Sequence, residues 1–475
     1  MDLHIRLDGR RDLASQLYRQ LRAAITEGRL AHGDRLPPTR ELAQRLDVAR
    51  NTVTLAYEWL VAEGLVTGHK GAGSFVEYEP QRRAHATTNV AKIRQRDVWS
   101  SIDTPTPRFG GASPAAPRYD FGVGSPDLQL FPFDDWRRLI ARSIRASHLN
   151  MSYNDAAGHP RLRAAIAKHI GIARGVHCDA DDVLITNGAQ QAFDLIARVL
   201  VEPYARVAVE DPGYPPARLA FLASNARIAP TRIDDEGLVV DELPDDARLA
   251  YVTPSHQFPL GMPMSHARRA ALLAWAERRN AVIVEDDYDS EFRFGGRPLD
   301  TLQSMDRRGR VIYVGSFSKV LLPTLRLGFL IAPRSLRHAL RAASYVTGWD
   351  HAWPEQTALA SMIESGLLAR HIHKMRREYA ARHERILQTL QRDFAQFVRP
   401  IASVAGMHLC APLRRSSLRV EAEVAARAEE SKVAFDRLSN YSIERPKRTG
   451  MVLGYGAIAM HDIDEGLRRL RRCYS

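Results

Sequence analysis

In the segment VIYVGSFSKVLLPTLRLGF, a lysine stands seven residues ahead of an arginine. Lys319 follows a strand-like run and a Ser-rich turn, and its amine could condense with a carbonyl. Ser316 and Arg326 are phosphate ligands by type and spacing, because a guanidinium fork fits phosphate oxygens. Taken alone, SxxK is more often a surface lysine beside a salt-bridging arginine, since short motifs match by chance. A second segment, AVIVEDDYDSEF, reads as a buried strand ending in carboxylates, at the end of the strand where α/β proteins place ligands. Asp286 could keep a ring nitrogen protonated. Tyr288, two residues on and on the same side of an extended chain, could bond a ring oxygen. A solvated acidic loop and a metal site are the ordinary alternatives; no neighbouring acidic or histidine cluster favours a metal, and none is expected. In DDVLITNGAQQAFDLIARV a strand leads to Gly188, Ala189 and Gln190 opening a helix, whose free N–H groups can hold an anion. A plain strand–turn–helix would look the same. EDPGYPPA sets Tyr214 on a rigid turn, suited to stack on a flat ring. An amine for an aldehyde, an acid for a pyridine nitrogen, a cup for a phosphate and a stacking ring are what pyridoxal 5′-phosphate (PLP) asks of a protein.

These groups need a scaffold. From Tyr119 onward, strand-like runs alternate with helical patterns: DVLIT before AQQAFDLIARVL, RVAVE before PPARLAFLAS, and AVIVED after HARRAALLAWAERR. That order predicts an α/β domain over residues 118–475, a mainly parallel sheet covered by helices. Residues 79–117, rich in Pro, Arg, Thr, Ser and Gly, lack periodicity and read as a linker. Residues 1–78 carry a different pattern. Leu13, Leu17, Leu21 and Ile25 form a helical stripe. Residues 37–47 predict a second helix capped by Thr39, and residues 50–63 a third with Val53, Tyr57, Leu60 and Val61 on its apolar face, stopped by Gly64. Two short strands around a Gly-rich turn follow. Three helices and a hairpin make a winged helix-turn-helix, whose third helix would offer Arg50, Asn51 and Thr52 to a major groove. Arg40 is placed for phosphate or a base, and the wing tip carries His69, Lys70 and Gly71. A small helical domain with polar caps would share much of this pattern.

The formal charge of +12 suggests an anionic partner, yet residues 1–80 carry eleven Lys/Arg and eleven Asp/Glu. A DNA reader here must gather its arginines on one face. Cys178, Cys410 and Cys473 are far apart and odd in number, which argues for a reducing, cytoplasmic setting without a CxxC pair. No signal-like stretch opens the sequence and no apolar run is long enough to span a membrane.

The stretch LPPTRELAQRLDVARNTVTLAYEWLVAEGLVTGHKGAGSFV resembles the GntR-family winged helix over residues 10–77. The stretches SYNDAAGHPRLRAAIA, NGAQQA, EDPGY, TPSHQFPLG, EDDYDSEFRF and GSFSKVLLPTLRLGF resemble fold-type I aminotransferases, and more closely the aminotransferase-like domain of MocR/GabR-type regulators, some of them PLP-responsive. The resemblance implies a homodimeric transcription regulator, its reader domains exchanged between subunits, that binds operator double-stranded DNA and senses PLP or an amine or amino acid through a Lys319 aldimine. The rival it leaves is a working aminotransferase with an accessory DNA-binding domain. It further implies Lys319 as the PLP lysine, Asp286 on the pyridine nitrogen, Tyr288 on the ring's phenolic oxygen and Tyr214 stacked on the ring. Gly188, Ala189, Gln190, Ser316 and Arg326 become the phosphate cup, and Tyr153 reaches the partner's phosphate. Arg40, Arg50, the polar residue after it and the wing become DNA contacts. Two positions depart from the aminotransferase pattern. Phe258-Pro259-Leu260-Gly261 replaces Asn-Pro-x-Gly, with His256 expected near the ring. Val452 occupies the place of the arginine that holds a substrate carboxylate, which implies a sensor with no catalytic residues, while Arg445 and Arg448 lie nearby in sequence.

Overall fold

In the first helix, α1 (Leu13–Thr26), Leu17, Leu21, Ala24 and Ile25 are buried, so the four-residue stripe faces a core. A computed structural model of the chain describes residues 5–9, 11–69, 73–79, 96–100, 102, 117–145, 154–295, 300–349, 352–445 and 447–474. It divides into two compact units, Met1–Arg94 and Gln95–Ser475.

In the first unit, β1 (Arg35–Leu36), α2 (Thr39–Arg45), α3 (Arg50–Ala62), β2 (Val66–His69) and β3 (Gly73–Val76) follow α1. The strands form one antiparallel sheet ordered β1-β3-β2. Two local expectations are corrected. Thr39 is the first helical residue of α2 and not its cap; Pro38 precedes it, and the Thr39 hydroxyl accepts from Arg50 Nε at 3.4 Å. On α3, Val53, Ala56, Tyr57 and Leu60 face inward while Val61 is 47% exposed, because it falls at the edge of the buried arc. Gly64 ends α3 at φ 73°, with Leu65 N donating to Leu60 O and Gly64 N to Val61 O, a closure only a left-handed residue permits.

In the second unit, β4 (Tyr119–Phe121) is followed by β5 (Val183–Thr186), β6 (Arg206–Asp211), β7 (Arg227–Asp234), β8 (Gly237–Leu238), β9 (Ala247–Val252), β10 (Val282–Asp287), β11 (Val311–Ser316) and β12 (Gly328–Ile331). The eight strands β5 to β12 form one sheet ordered β5-β12-β11-β10-β9-β6-β7-β8. The pairings β6·β7, β6·β9, β9·β10 and β10·β11 are parallel, and β12 runs against both neighbours. Apolar clusters on the sheet are closed by helices such as Gly188–Leu200 and His266–Arg279, so the mainly parallel, helix-covered sheet is present.

The alternation read from Tyr119 onward does not continue to the end of the chain. β13 (His408–Pro412), β14 (Val433–Arg437) and β15 (Gly450–Gly454) form a separate sheet ordered β13-β15-β14-β4. Strand β4 belongs to this small sheet through parallel pairing with β14. Among the described residues, no helix is long and apolar enough to cross a membrane.

Candidate functional site

Strand β10 ends in three buried carboxylates, and strand alternation sends them different ways. Glu285 accepts from the backbone N–H groups of Leu302 and Gln303. Asp287 takes the Arg174 guanidinium at 2.8 Å and the Tyr313 hydroxyl at 2.6 Å. Asp286 faces a cavity instead. Its Oδ2 accepts from Tyr251 at 2.6 Å, while Oδ1 is buried with no partner among the described residues. Burial pushes its carboxyl up to about 7.

The same cavity is lined by Lys319, Ser316 and Arg326 from the β11–β12 connection, and by Ala189 and Gln190 from the first turn of the Gly188–Leu200 helix. Lys319 Nζ donates to Gly124 O at 2.8 Å. Burial lowers its pKa, against the pull of the Asp289 and Asp286 carboxylates, and so favours the neutral amine. Arg326 donates to Asn187 O at 2.7 Å, at the mouth of that helix. Gly188, at φ 74°, lets the guanidinium lie close: a Cβ there would come within 3.2 Å of it. Gln190 Nε2 donates to Pro216 O at 2.9 Å, and Ser316 Oγ accepts from Ser318 N. Tyr214 forms another wall, edge-on to Phe258 at 5.3 Å.

Tyr288 also lines the cavity, but its hydroxyl is held from behind, 2.9 Å from His256 Nδ1 and donating to His256 O at 2.9 Å. His256 is 2% exposed and is not a lining residue. Tyr153 lies outside the described residues, as do Lys70 and Gly71. Gly124, Thr253, Asp289, Ser318, Met407 and His408 also line the wall, with Val123 and Pro323, and were not singled out from the sequence. Ser318 and Asp289 had a local signal, in the serine-rich turn before Lys319 and at the acidic strand end beside Tyr288; Thr253 opens TPSHQFPLG, and Gly124, Met407 and His408 arrive from distant segments. A histidine–acid cluster does form: donor atoms of His256, Asp289 and His408 lie within 4.8 Å of one another. His256 Nδ1 is 3.0 Å from Asp289, and His408 Nε2 meets Pro259 O at 3.1 Å, so these groups already have hydrogen-bond partners within the protein.

The donor set fits PLP: an amine, an acid with an unmet oxygen, a guanidinium beside a helix start, and a flat ring. The expected carboxylate position is apolar: Val452 is fully buried in β15 opposite Cys410. Arg445 is exposed, and Arg448 donates to Ile233 O.

On the first unit, Arg40, Arg50, Asn51 and His69 are exposed, and Thr52 is half-buried at the start of α3. Between them a groove is lined by Thr39, Tyr57 and His69, and by Arg35, which packs beside Gly73 and was missed in the sequence.

Residues 118–447 match the family model described as aminotransferase class I and II, and residues 13–76 that of bacterial regulatory proteins, gntR family. The chain is 38% identical to the probable rhizopine catabolism regulatory protein MocR of Rhizobium meliloti, over 97% of its own length and 93% of that protein's. It is 31% identical to the HTH-type pyridoxine biosynthesis transcriptional regulator PdxR of Corynebacterium glutamicum, covering 95% of this chain and 93% of that one. A solved structure of LysN, the α-aminoadipate aminotransferase of Thermus thermophilus, complexed with N-(5′-phosphopyridoxyl)-L-leucine, matches 75% of this chain and 91% of its own with a TM-score of 0.68 at 29% identity. With both halves matched, the chain belongs to the GntR family of bacterial regulatory proteins, in the MocR-type branch that joins a winged helix-turn-helix to an aminotransferase class I and II domain.

Proposed function

We propose that this chain is a transcription regulator that holds PLP in the Lys319 cavity, senses PLP or PLP with an amine or amino acid, and binds operator DNA through its winged helix-turn-helix. The observation that carries this is the unmet Asp286 Oδ1 sharing one cavity with Lys319 and Arg326. When bound, PLP supplies an aldehyde that captures amines and a ring that draws electrons while its nitrogen is protonated. Lys319, desolvated and beside the Gly124 carbonyl, is the amine in place to receive that aldehyde. Asp286 holds the ring nitrogen's proton through Oδ1, with Tyr251 fixing its other oxygen. Arg326, Ser316 and the Gly188–Gln190 helix start bind phosphate, Tyr214 stacks on the ring and Tyr288 faces its edge. His256 acts from behind Tyr288. Tyr153 is assigned to the partner's phosphate on the family resemblance alone.

On DNA, Arg50, Asn51 and Thr52 read from the start of α3, with Arg40 on phosphate or a base and His69, Lys70 and Gly71 on the backbone or minor groove. Residues 79–117 link the two domains, 1–78 and 118–475. A homodimer with exchanged readers presents two winged helices to two half-sites. A working aminotransferase is the second reading, favoured by the complete donor set around Lys319. Purified protein should absorb in the visible range, and Lys319→Ala should lose both that band and the adduct trapped by borohydride. An adduct trapped on another lysine overturns the assignment.

A further inference from the structure

We propose that His256 is a positioning residue: it acts on the bound ring through Tyr288 and does not touch it. This rests on the PLP reading above. The Tyr288 hydroxyl stands at the cavity wall, 2.9 Å from His256 Nδ1 and 2.9 Å from the His256 carbonyl, to which it donates. The imidazole is fixed from every side. The Asp289 carboxylate lies 3.0 and 3.2 Å from the same Nδ1, and Asp289 is itself held by Met407 N at 3.2 Å. Ser403 Oγ is 3.3 Å from Nε2. The ring fills a slot that Gly406 leaves open: a Cβ at Gly406 would overlap the imidazole at 2.0 Å. His408 packs against it at 4.7 Å between ring centroids.

A tyrosine hydroxyl has one proton to give and lone pairs to receive. Here the proton goes to a backbone carbonyl, a neutral acceptor that a ring phenolate can outcompete. Nδ1–H, shared as a three-centre donor between the Asp289 carboxylate and the Tyr288 oxygen, remains behind to support that oxygen after the phenol proton turns toward the ring. The His256 N–H therefore makes the phenol a better donor, while Asp289 and Ser403 fix the imidazole and so where the hydroxyl points. Without it, the hydroxyl would lose its rear support and its aim.

The experiment measures PLP affinity and the position of the visible band in wild type, His256→Leu, His256→Asn, Tyr288→Phe and the His256→Leu/Tyr288→Phe double variant. His256→Leu and Tyr288→Phe should each weaken PLP binding roughly 3- to 10-fold and shift the band the same way. The double variant should be no worse than Tyr288→Phe alone, because one acts through the other. Asparagine, whose amide N–H can take the place of Nδ1–H, should restore the wild-type band. Multiplying effects in the double variant, or His256→Asn no better than His256→Leu, overturns the proposal while leaving the cofactor reading intact. A wild-type protein that binds no PLP overturns both.

Discussion

Asp286 shows how one side chain can be both a cost to the fold and the reason for the site. Burial raises its carboxyl to about 7, against about 3.9 in an unfolded chain. Between those two values the folded protein keeps a proton that the unfolded chain has released, so stability falls as pH rises through that window. Asn has no such titration. Without cofactor, Asp286→Asn should therefore gain on wild type from pH 5 to pH 8, by about 2–3 kcal/mol, in denaturant titrations. A difference independent of pH would show that Asp286 does not bear this cost. Saturating PLP should reverse the ranking, since the cationic ring nitrogen supplies the missing partner. This residue was legible in the sequence because it ends a buried-looking strand, and the family resemblance chose it among Glu285, Asp286 and Asp287. Lys319 and Arg326 were legible for a similar reason, both lying on one short connection. Met407, His408 and Gly124 were not, because only long-range packing brings them to the wall. Nor was the place of His256 behind Tyr288, since side-chain order across a cavity leaves no mark on spacing.

Elements were readable where a single period or a single glycine decides them. The α1 stripe and the Gly64 stop of α3 are such cases. The small sheet was not readable, because β4 and β14 are three hundred residues apart and their pairing has no local signature. In the large domain, β12 supports the Gly188–Leu200 helix through a close approach: a Cβ on Gly328 would sit 2.8 Å from Gly188 Cα and 2.7 Å from its carbonyl carbon. Gly328→Ala must push that helix start away. It should cost about 1–3 kcal/mol of stability and weaken PLP binding by roughly tenfold or more. Unchanged PLP affinity in isothermal titration would mean the helix start does not bind phosphate. At the DNA end, Arg50→Ala should cost about 1–3 kcal/mol of operator affinity if the side chain reads a base. PLP affinity should stay as in wild type, because the reader domain has its own closed core around Leu17, Val53 and Leu60. Equal gel-shift affinities for wild type and Arg50→Ala would remove that arginine from the interface.

For the whole molecule, the question is whether the aminotransferase-type domain reacts or reports. A transaminase must hold its substrate with the breaking Cα–H bond across the ring plane, and a clamped carboxylate provides that aim, worth several kcal/mol of barrier. Among the described lining residues the side chains of Lys319 and Arg326 are the lysine and arginine of the cavity, and both have cofactor roles in this reading. Val452 packs in an apolar cluster with Cys410 and Leu438. Arg448 is engaged at Ile233, and Arg445 points to solvent. In the proposed reading, an amino acid would enter the Lys319 site with no described side chain to aim it for proton loss. A sensor needs no aim. It needs only a ligand that favours one of two states of a dimer with different operator affinity. The expected outcome is turnover well below about 1 per second with any common amino acid and keto acid, in steady-state assays of product. Operator affinity, titrated with and without PLP, should change by about 5- to 150-fold, the usual span of such coupling. Ordinary enzyme turnover together with operator binding indifferent to PLP would make the domain an aminotransferase with a DNA anchor. It would also require a carboxylate clamp from outside this cavity's described wall, with a second copy of the chain the first place to look.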